Sequence, residues 1–330
     1  MKIAVIGAGS FGLALAKHFV ENGQDVKLWA FSKEEMEDLN NNRKSKYLPE
    51  IIFPEKLKAS NDLKEVVKGA DIIFHVTPSK FFRDVLKKYK GYIKKDAKIL
   101  ICSKGFEKET NKTLEEVLEE ELPNTSYGIF SGPSHAEEVS KNIETAIVCA
   151  SKDEDLIKDV MKIVNAEKIR VYGHKDVIGV SLGGSLKNII AVAAGICSGL
   201  NLGDNTLTAV ITRGLVELSR FAEKMGTDKN TIYGLSGLGD LLVTCLSEHS
   251  RNRRAGLALA EGKKKEEIQK EMEMVIEGFD NIEVVYNLSK KYNIETPITE
   301  SIYEILQGDL AIEDVVKKLM LRKNKFEQDK

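Results

Sequence analysis

Residues 1–16 read MKIAVIGAGSFGLALA. A β-branched apolar run, KIAVIG (2–7), opens the chain at once. It runs into Gly7-Ala8-Gly9-Ser10-Phe11-Gly12, and Leu13, Ala14 and Leu15 then begin a helical pattern. Gly-x-Gly-x-x-Gly alone is a weak pattern, but between a strand and a helix it has a mechanical reading. Gly7 permits the tight turn, Gly9 lets backbone approach a pyrophosphate, and Gly12 lets helix and strand pack closely. The helix start then offers unpaired N–H groups and a partial positive charge to the phosphates. This stretch predicts dinucleotide binding at the first strand–helix turn. The competing reading is a glycine-rich turn with no ligand.

Runs of the same kind recur downstream: DVKLWA (25–30), DIIFHV (71–76), AKILICS (97–103), SYGIFSG (126–132), TAIVCAS (145–151) and IRVYGH (169–174). Helical periods such as FGLALAKHFVENG (11–23) and LEEVLEEEL (114–122) lie between them. Near-continuous hydrophobic strands alternating with helices specify a mostly parallel sheet covered on both faces. After about residue 175 the strands stop, and helical patterns take over at 176–200, 206–225, 251–260, 277–292, 297–306 and 310–320. The chain therefore reads as α/β. An N-terminal Rossmann-like, doubly wound, mostly parallel sheet occupies residues 1–180 and binds the dinucleotide. An all-α domain, 181–330, carries the substrate and catalytic groups. KKKEE (263–267) and the tail RKNKFEQDK (322–330) read as solvated polar segments, the tail frayed.

Bulk composition narrows the function classes. At 330 residues the chain is long enough for two domains. Its 49 Lys and Arg stand against 51 Asp and Glu, interspersed, for a net charge of −2. No basic field argues for nucleic acid or an anionic membrane surface. Cys102, Cys149, Cys197 and Cys245 are scattered, with no Cys-x-x-Cys pair, which reads as reduced thiols in a cytoplasmic protein. The histidines form neither His-x-x-x-His nor His-Glu-x-x-His, so no metal site is expected. MKIAVIGAGS is too short and too glycine-rich to read as a secretory signal.

A second stretch carries the chemistry. From Val177 to Gly203, Lys187 is the only charged residue, with Asp176 and Asp204 on either side. The segment is long enough to span a bilayer. Six glycines interrupt it, however, and a mid-segment Lys costs about 2.5 to 3.5 kcal/mol on insertion scales, so no membrane span is expected. On a helix, Leu182, Leu186, Ile189, Ala193, Ile196 and Leu200 form a core stripe. The other side carries Gly183, Gly184, Lys187, Asn188, Ala191, Ala194, Gly195 and Ser198. Such small residues leave room for another backbone or for a ligand. Lys187 is either a lysine that snorkels to water or a desolvated cation, its pKa lowered toward the range useful for proton transfer.

Further constellations bear on that choice. Ser103-Lys104-Gly105 follows a strand, where loops at the carboxyl ends of parallel strands bind ligands; Lys104 is a candidate, or a surface lysine. GLSGLGDL (234–241) sets Asp240 after a glycine-rich turn, as a partner for a lysine or as a helix cap. Ser250-Arg251-Asn252-Arg253-Arg254 opens the helix RRAGLALA, with Ser250 as N-cap and Arg251 adding a guanidinium fork to an anion-binding helix start. The alternative there is a basic surface patch. Ser134-x-x-Glu137 is locally a capping box. The second strand ends Trp29-Ala30-Phe31-Ser32-Lys33, with neither an acid for the ribose 2′-hydroxyl nor an Arg for a 2′-phosphate; Lys33 or Arg43 could serve, or both are surface residues. Two anion sites and a lysine suited to acid–base work read as a dehydrogenase of a small phosphorylated or carboxylated substrate.

GAGSFG, SKGFE, SGPSHAEEV, SLGGSLKNIIAVAAGICSGLNLGDN, ITRGL, GLSGLGDLLVTC, SRNRRAGLALA, VIEGF and TPITESIY, in this order from residue 7 to about 306, closely resemble bacterial NAD(P)-dependent glycerol-3-phosphate dehydrogenases. The resemblance implies reversible hydride transfer between dihydroxyacetone phosphate and sn-glycerol 3-phosphate, with NAD or NADP as cofactor, supplying glycerol 3-phosphate for phospholipid synthesis. It implies Lys187 as proton donor and acceptor at the substrate C2 oxygen, helped by Asp240 and Thr244, with Lys104 also in the catalytic set. It implies Lys104, Gly132, Ser134, Lys187, Asn188, Asp240, Thr244, Ser250, Arg251 and Asn252 as substrate contacts. It implies Gly7, Gly9, Ser10, Phe11, Gly12, Lys104, Ala136, Arg251, Val275 and Glu277 as cofactor contacts, and a homodimer as the assembly. This chain departs from the family pattern in three places. It has no Arg after Trp29-Ala30, Phe11 stands for a frequent Trp, and Ser181 stands where Glu is common. The competing functions are a two-domain dehydrogenase of a hydroxy acid or sugar acid, and a non-catalytic dinucleotide sensor.

Overall fold

In a computed structural model, which describes residues 1–272, 275–323 and 326–327, all seven expected strands form within two residues of their expected ends. They are β1 (Lys2–Ile6), β2 (Asp25–Trp29), β4 (Ile72–His75), β5 (Lys98–Ile101), β8 (Tyr127–Ser131), β9 (Thr145–Ser151) and β10 (Ile169–His174). A short strand β3 (Lys58–Ser60) adds an edge, giving the order β10-β9-β8-β5-β4-β1-β2-β3. A separate hairpin pairs β6 (Phe106–Glu107) with β7 (Lys112–Thr113). β3 is three residues long and carries little apolar signal, which is why its sequence does not announce it.

Every pairing in the main sheet is parallel except β8 with β9, which is antiparallel. The chain moves from β1 outward to β2 and β3, then returns to β4 on the other side of β1. The carboxyl ends of β1 and β4 therefore flank the point where strand order reverses, the place where ligands bind in such sheets. Register aligns Ile6 with His75, His75 with Ile101 and Ile101 with Ile129, so the loops leaving four neighbouring strands emerge along one edge.

Helices cover both faces. Phe19, on the helix Ser10–Glu21, lies 4.8 Å from Phe74 on β4, and Phe74 lies 5.7 Å from Phe130 on β8 (ring centroids). All three rings are buried, each worth about 1.5 to 3 kcal/mol of hydrophobic stabilisation. On the other face His75, Phe82 and Tyr89 pack together, the last two from the helix Phe82–Tyr89.

Contacts divide the chain into two units, residues 1–107 with 112–177, and residues 108–111 with 178–330. The second unit is built around the helix Val177–Gly199. By length and apolar character this helix could cross a membrane, yet 89% of its most apolar stretch is buried in the protein. The small-residue side explains how. A Cβ added at Gly195 would lie 2.0 Å from the Arg253 carbonyl oxygen, and one at Gly183 would lie 2.7 Å from that of Ser236. Backbone occupies the side that the sequence left open to backbone or ligand. The helix Gly203–Lys224 closes on Ile190 through Gly214, and the helix Glu277–Lys291 on Val192 through Gly278. A helix packed all round needs no polar face.

Some local expectations are corrected. The helix at 206–225 starts earlier, at Gly203. The segment 310–320 is a tight turn, Ile312–Asp314, followed by the helix Val315–Met320. Lys265, Glu266 and Glu267 begin the helix Lys265–Met272, which turns its one buried residue, Ile268, inward. Leu200, placed on the core stripe, is only half-buried. In the tail, residues 324, 325 and 328–330 lie outside the described residues.

Candidate active site

In the first unit the glycine turn has the stereochemistry its spacing predicts. Gly7 has φ +121°, a conformation that disfavours any side chain. A Cβ at Gly12 would fall 1.9 Å from the Gly7 carbonyl oxygen, so only glycine lets the helix start this close to the strand. At Gly9 an added Cβ would meet nothing within 4 Å. Gly9 is the N-cap of the helix Ser10–Glu21, whose first turn has no side-chain cap and no acidic residue. An uncapped, acid-free helix start facing open space suits a pyrophosphate. Ser10 donates its hydroxyl to the Tyr47 carbonyl at 3.2 Å. Phe11 is half-buried against the core.

Other candidates leave the same sheet edge. Lys104 and Gly105 follow β5, Gly105 with φ +130°. Gly132 (φ +152°) follows β8, and a Cβ there would lie 3.2 Å from Ile147 Cα. Ser134 does not cap the next helix as expected. Its hydroxyl donates back to the Gly132 carbonyl at 3.0 Å, and the helix Ala136–Ser140 has His135 at the N-cap position, whose side chain does not cap the helix. Arg43 is committed elsewhere, its Nε donating to the Phe53 carbonyl at 2.7 Å, and exposed Lys33 pairs with Glu37 at 3.5 Å.

In the second unit Lys187 does not snorkel. It is 5% exposed and its Nζ donates to Asp240 Oδ1 and, at 2.7 Å, to Thr244 Oγ1. Asp240 is no helix cap. It is the first residue of the helix Asp240–Leu246, with Gly239 at the cap position, and its buried carboxylate faces Lys187. One turn on, the Thr244 hydroxyl donates to the Asp240 carbonyl at 2.6 Å, which turns a lone pair toward the lysine. Burial alone would disfavour the ammonium; an opposite charge in hydrogen-bond contact favours it. Cys245, next on that helix, has its thiol pushed up to about 12 by burial and is inert.

Asn188, next to Lys187 in the chain, is hydrogen-bonded to the start of the helix Arg251–Ala260. Its Oδ1 accepts from Asn252 Nδ2 at 2.9 Å, and Asn252 Oδ1 accepts from the Gly278 N–H at 2.9 Å. Ser250 caps the helix Arg251–Ala260, its Oγ accepting from the Arg253 N–H at 3.2 Å. Arg251, next to it, donates through Nη1 to the Val275 carbonyl at 3.0 Å. Glu277 begins the helix that Gly278 continues. Lys187, Asn188, Asp240, Thr244, Ser250, Arg251, Asn252, Val275 and Glu277 thus form one connected cluster in the second unit, while Gly7, Gly9, Ser10, Phe11, Gly12, Lys104, Gly132, Ser134 and Ala136 belong to the first. Sequence reasoning missed His75, whose two ring nitrogens are both hydrogen-bonded; a lone histidine inside an apolar strand gives no signal of its partners. Among the described residues no group of three or more His, Cys, Asp or Glu is arranged to hold a metal.

Comparison with known proteins agrees with this organisation. Residues 2–157 match the family described as NAD-dependent glycerol-3-phosphate dehydrogenase N-terminus, and residues 176–317 match its C-terminus. The NAD(P)+ glycerol-3-phosphate dehydrogenase of Fusobacterium nucleatum is 45% identical over 99% of this chain and 98% of its own length. That of Carboxydothermus hydrogenoformans is 43% identical over the same shares. A crystal structure of glycerol-3-phosphate dehydrogenase from Coxiella burnetii superposes with a TM-score of 0.94 at 41% identity, covering 97% of this chain and 99% of that one. The chain belongs to the NAD(P)-dependent glycerol-3-phosphate dehydrogenase family.

Proposed function

We infer that this protein interconverts dihydroxyacetone phosphate and sn-glycerol 3-phosphate with NAD(H) or NADP(H). The observation that carries the reading is the buried Lys187–Asp240–Thr244 set, joined through Asn188 and Asn252 to the Arg251 helix start. A proton-handling cation and an anion-binding turn in one cluster suit a small phosphorylated alcohol.

A dinucleotide held at the Gly7–Gly12 turn would supply the hydride to the substrate C2, or accept it from there. In the reductive direction the Lys187 ammonium donates a proton to the C2 oxygen as negative charge grows there; in the oxidative direction its amine takes the hydroxyl proton. Asp240 offsets the buried charge and, with Thr244, aims Nζ. Arg251 and the first turn of the Ser250-capped helix hold the phosphate. Ser250 keeps its hydroxyl hydrogen for the substrate, since its oxygen serves the cap. Asn252 acts mainly as a bridge, with one Nδ2 hydrogen beyond its bond to Asn188. Lys104, Gly132, Ser134 and Asn188 are proposed as further substrate contacts on the family pattern, with Lys104 also in the catalytic set. Gly7, Gly9, Ser10, Phe11 and Gly12 would hold the cofactor phosphates; Lys104, Ala136, Arg251, Val275 and Glu277 join them on the family pattern alone. In this reading residues 1–180 serve the dinucleotide and 181–330 the substrate. We place the enzyme in the cytoplasm, feeding phospholipid synthesis, a reading supported by four buried free thiols. We take a homodimer as its assembly on family resemblance, which light scattering would check.

The test is oxidation of NADH and of NADPH, each with dihydroxyacetone phosphate at fixed salt, against a panel of unphosphorylated keto acids. Turnover of the triose phosphate with either cofactor is expected. Preference for an unphosphorylated keto acid would make this a hydroxy-acid dehydrogenase. NADH binding with no turnover would make it a sensor.

A further inference from the structure

We propose that His75 and Thr77 are a positioning pair that sets the spacing of the two cofactor-binding turns, Gly7–Phe11 and Ser103–Gly105, and through it the affinity for the dinucleotide. The proposal rests on the functional reading above. It concerns residues at the end of β4, beside β1, where the strand order reverses.

His75 is fully buried, and Thr77 is nearly so. His75 Nε2 meets Thr77 Oγ1 at 2.7 Å, and Nδ1 meets the Tyr89 hydroxyl at 3.0 Å. The ring stacks on Phe82 with centroids 4.3 Å apart. Burial pushes its pKa down to about 3, so the ring is neutral, one nitrogen donating and the other accepting. An aliphatic side chain would fill this space without desolvating two nitrogens. What the imidazole adds is a directed bond that fixes Thr77.

Thr77 in turn touches both turns. Its carbonyl accepts the Ser103 hydroxyl, immediately before Lys104. A Cβ at Gly7 would lie 3.1 Å from the Val76 carbonyl oxygen and 3.3 Å from the Thr77 nitrogen, so the glycine turn rests directly on this segment. The Val76 N–H also donates to the Ile6 carbonyl at 2.8 Å. A shift of Thr77 therefore moves the Gly7 turn and the Lys104 turn together.

The experiment compares Thr77→Val, which removes the hydroxyl and keeps the shape, with Thr77→Ser, which restores it. NADH Kd is read by fluorescence titration, alongside steady-state constants and Tm. Thr77→Val should weaken NADH binding ~5- to 20-fold, as for loss of one buried hydrogen bond, with Thr77→Ser within about twofold of wild type. At saturating cofactor, kcat/KM for dihydroxyacetone phosphate should fall by less than NADH affinity does, because the substrate shares only the Lys104 turn. Wild-type NADH affinity in folded Thr77→Val would overturn the proposal, as would a fall in kcat with unchanged cofactor affinity. If Thr77→Val does not fold, Tyr89→Phe removes only the far support of the ring and should raise the NADH Kd ~2- to 5-fold; no rise would overturn the proposal equally. A wild-type protein that binds NADH but leaves dihydroxyacetone phosphate untouched would refute the functional reading while leaving this comparison of affinities valid.

Discussion

Asn252 bridges two elements at once: its Nδ2 donates to Asn188 Oδ1 at 2.9 Å while its Oδ1 accepts the Gly278 N–H at 2.9 Å. One carboxamide thus holds the residue after Lys187 against the start of the helix Glu277–Lys291. Truncation orphans a buried amide N–H and a buried amide oxygen, each worth about 1 to 3 kcal/mol. Asn252→Ala should lower Tm by several degrees and lower kcat as well. Loss of activity with wild-type Tm would make Asn252 a substrate contact more than a bridge.

Lys187→Ala removes the proposed acid–base group and leaves Asp240 buried without its cation. A fall in kcat of about 10²-fold or more is expected, with NADH Kd unchanged, since nothing in the glycine turn moves. Asp240→Asn should also lower kcat, by misaiming the amine. Wild-type turnover in Lys187→Ala would remove the lysine from the chemistry.

Arg251→Ala should act chiefly on KM for dihydroxyacetone phosphate, raising it ~10- to 100-fold for loss of a charge-assisted bond to phosphate. Arg251→Lys should recover only part of this, because a point charge cannot supply a fork. An unchanged KM would assign the phosphate to another group.

Two glycines should respond in opposite ways to one added methyl group. At Gly195 the methyl would meet the Arg253 carbonyl oxygen at 2.0 Å, so Gly195→Ala must push two helices apart and should destabilise the protein by about 1 to 3 kcal/mol or more. At Gly9 the backbone is extended and the space is open, so Gly9→Ala should leave Tm unchanged and raise KM for NADH. Equal losses of Tm would contradict the assignment of Gly9 to ligand approach.

Stability should depend on pH through two buried groups of opposite sense. His75 falls to about 3 when folded, so below its ordinary 6.5 the unfolded chain binds a proton that the native state refuses; stability is lost as pH falls from 6.5 toward 3. Glu217 rises to about 7 through burial, although it accepts the Ile298 N–H at 2.6 Å and two bonds from Thr299. Its contribution is complete below its ordinary 4.5 and is lost as pH rises through 7. Chemical denaturation across pH should show Glu217→Gln flattening the neutral side and His75→Gln the acid side. An unchanged pH profile in Glu217→Gln would mean that its three donors already hold the carboxylate ionised.

The strands and most helices are legible because their periods reflect burial directly: Ile72, Ile73 and Phe74 in β4 are apolar, and the whole strand is buried. Asp240 and Arg251 are legible as candidates because each follows a local turn signal. What the sequence leaves open depends on neighbours distant along the chain. Gly183 and Gly195 have the same composition whether a ligand or a carbonyl approaches. Only the packing of 236 and 253 against them decides that. Ser134 had a good capping pattern, and the tertiary turn at Gly132 overrode it. His75 and Glu217 were silent because their partners, Tyr89 and the 298–299 backbone, follow no fixed spacing.

The all-round enclosure of Val177–Gly199 has a consequence during synthesis. The helix leaves the ribosome well before the backbone around Arg253 and Gly256 that will cover it. Over that interval the nascent chain displays a greasy rod of bilayer length, with Lys187 as its single charge. Chaperone capture, or mistaken delivery to membrane insertion machinery, competes with folding in that window. Chains truncated before Gly256 should therefore be far more aggregation-prone than their overall composition suggests.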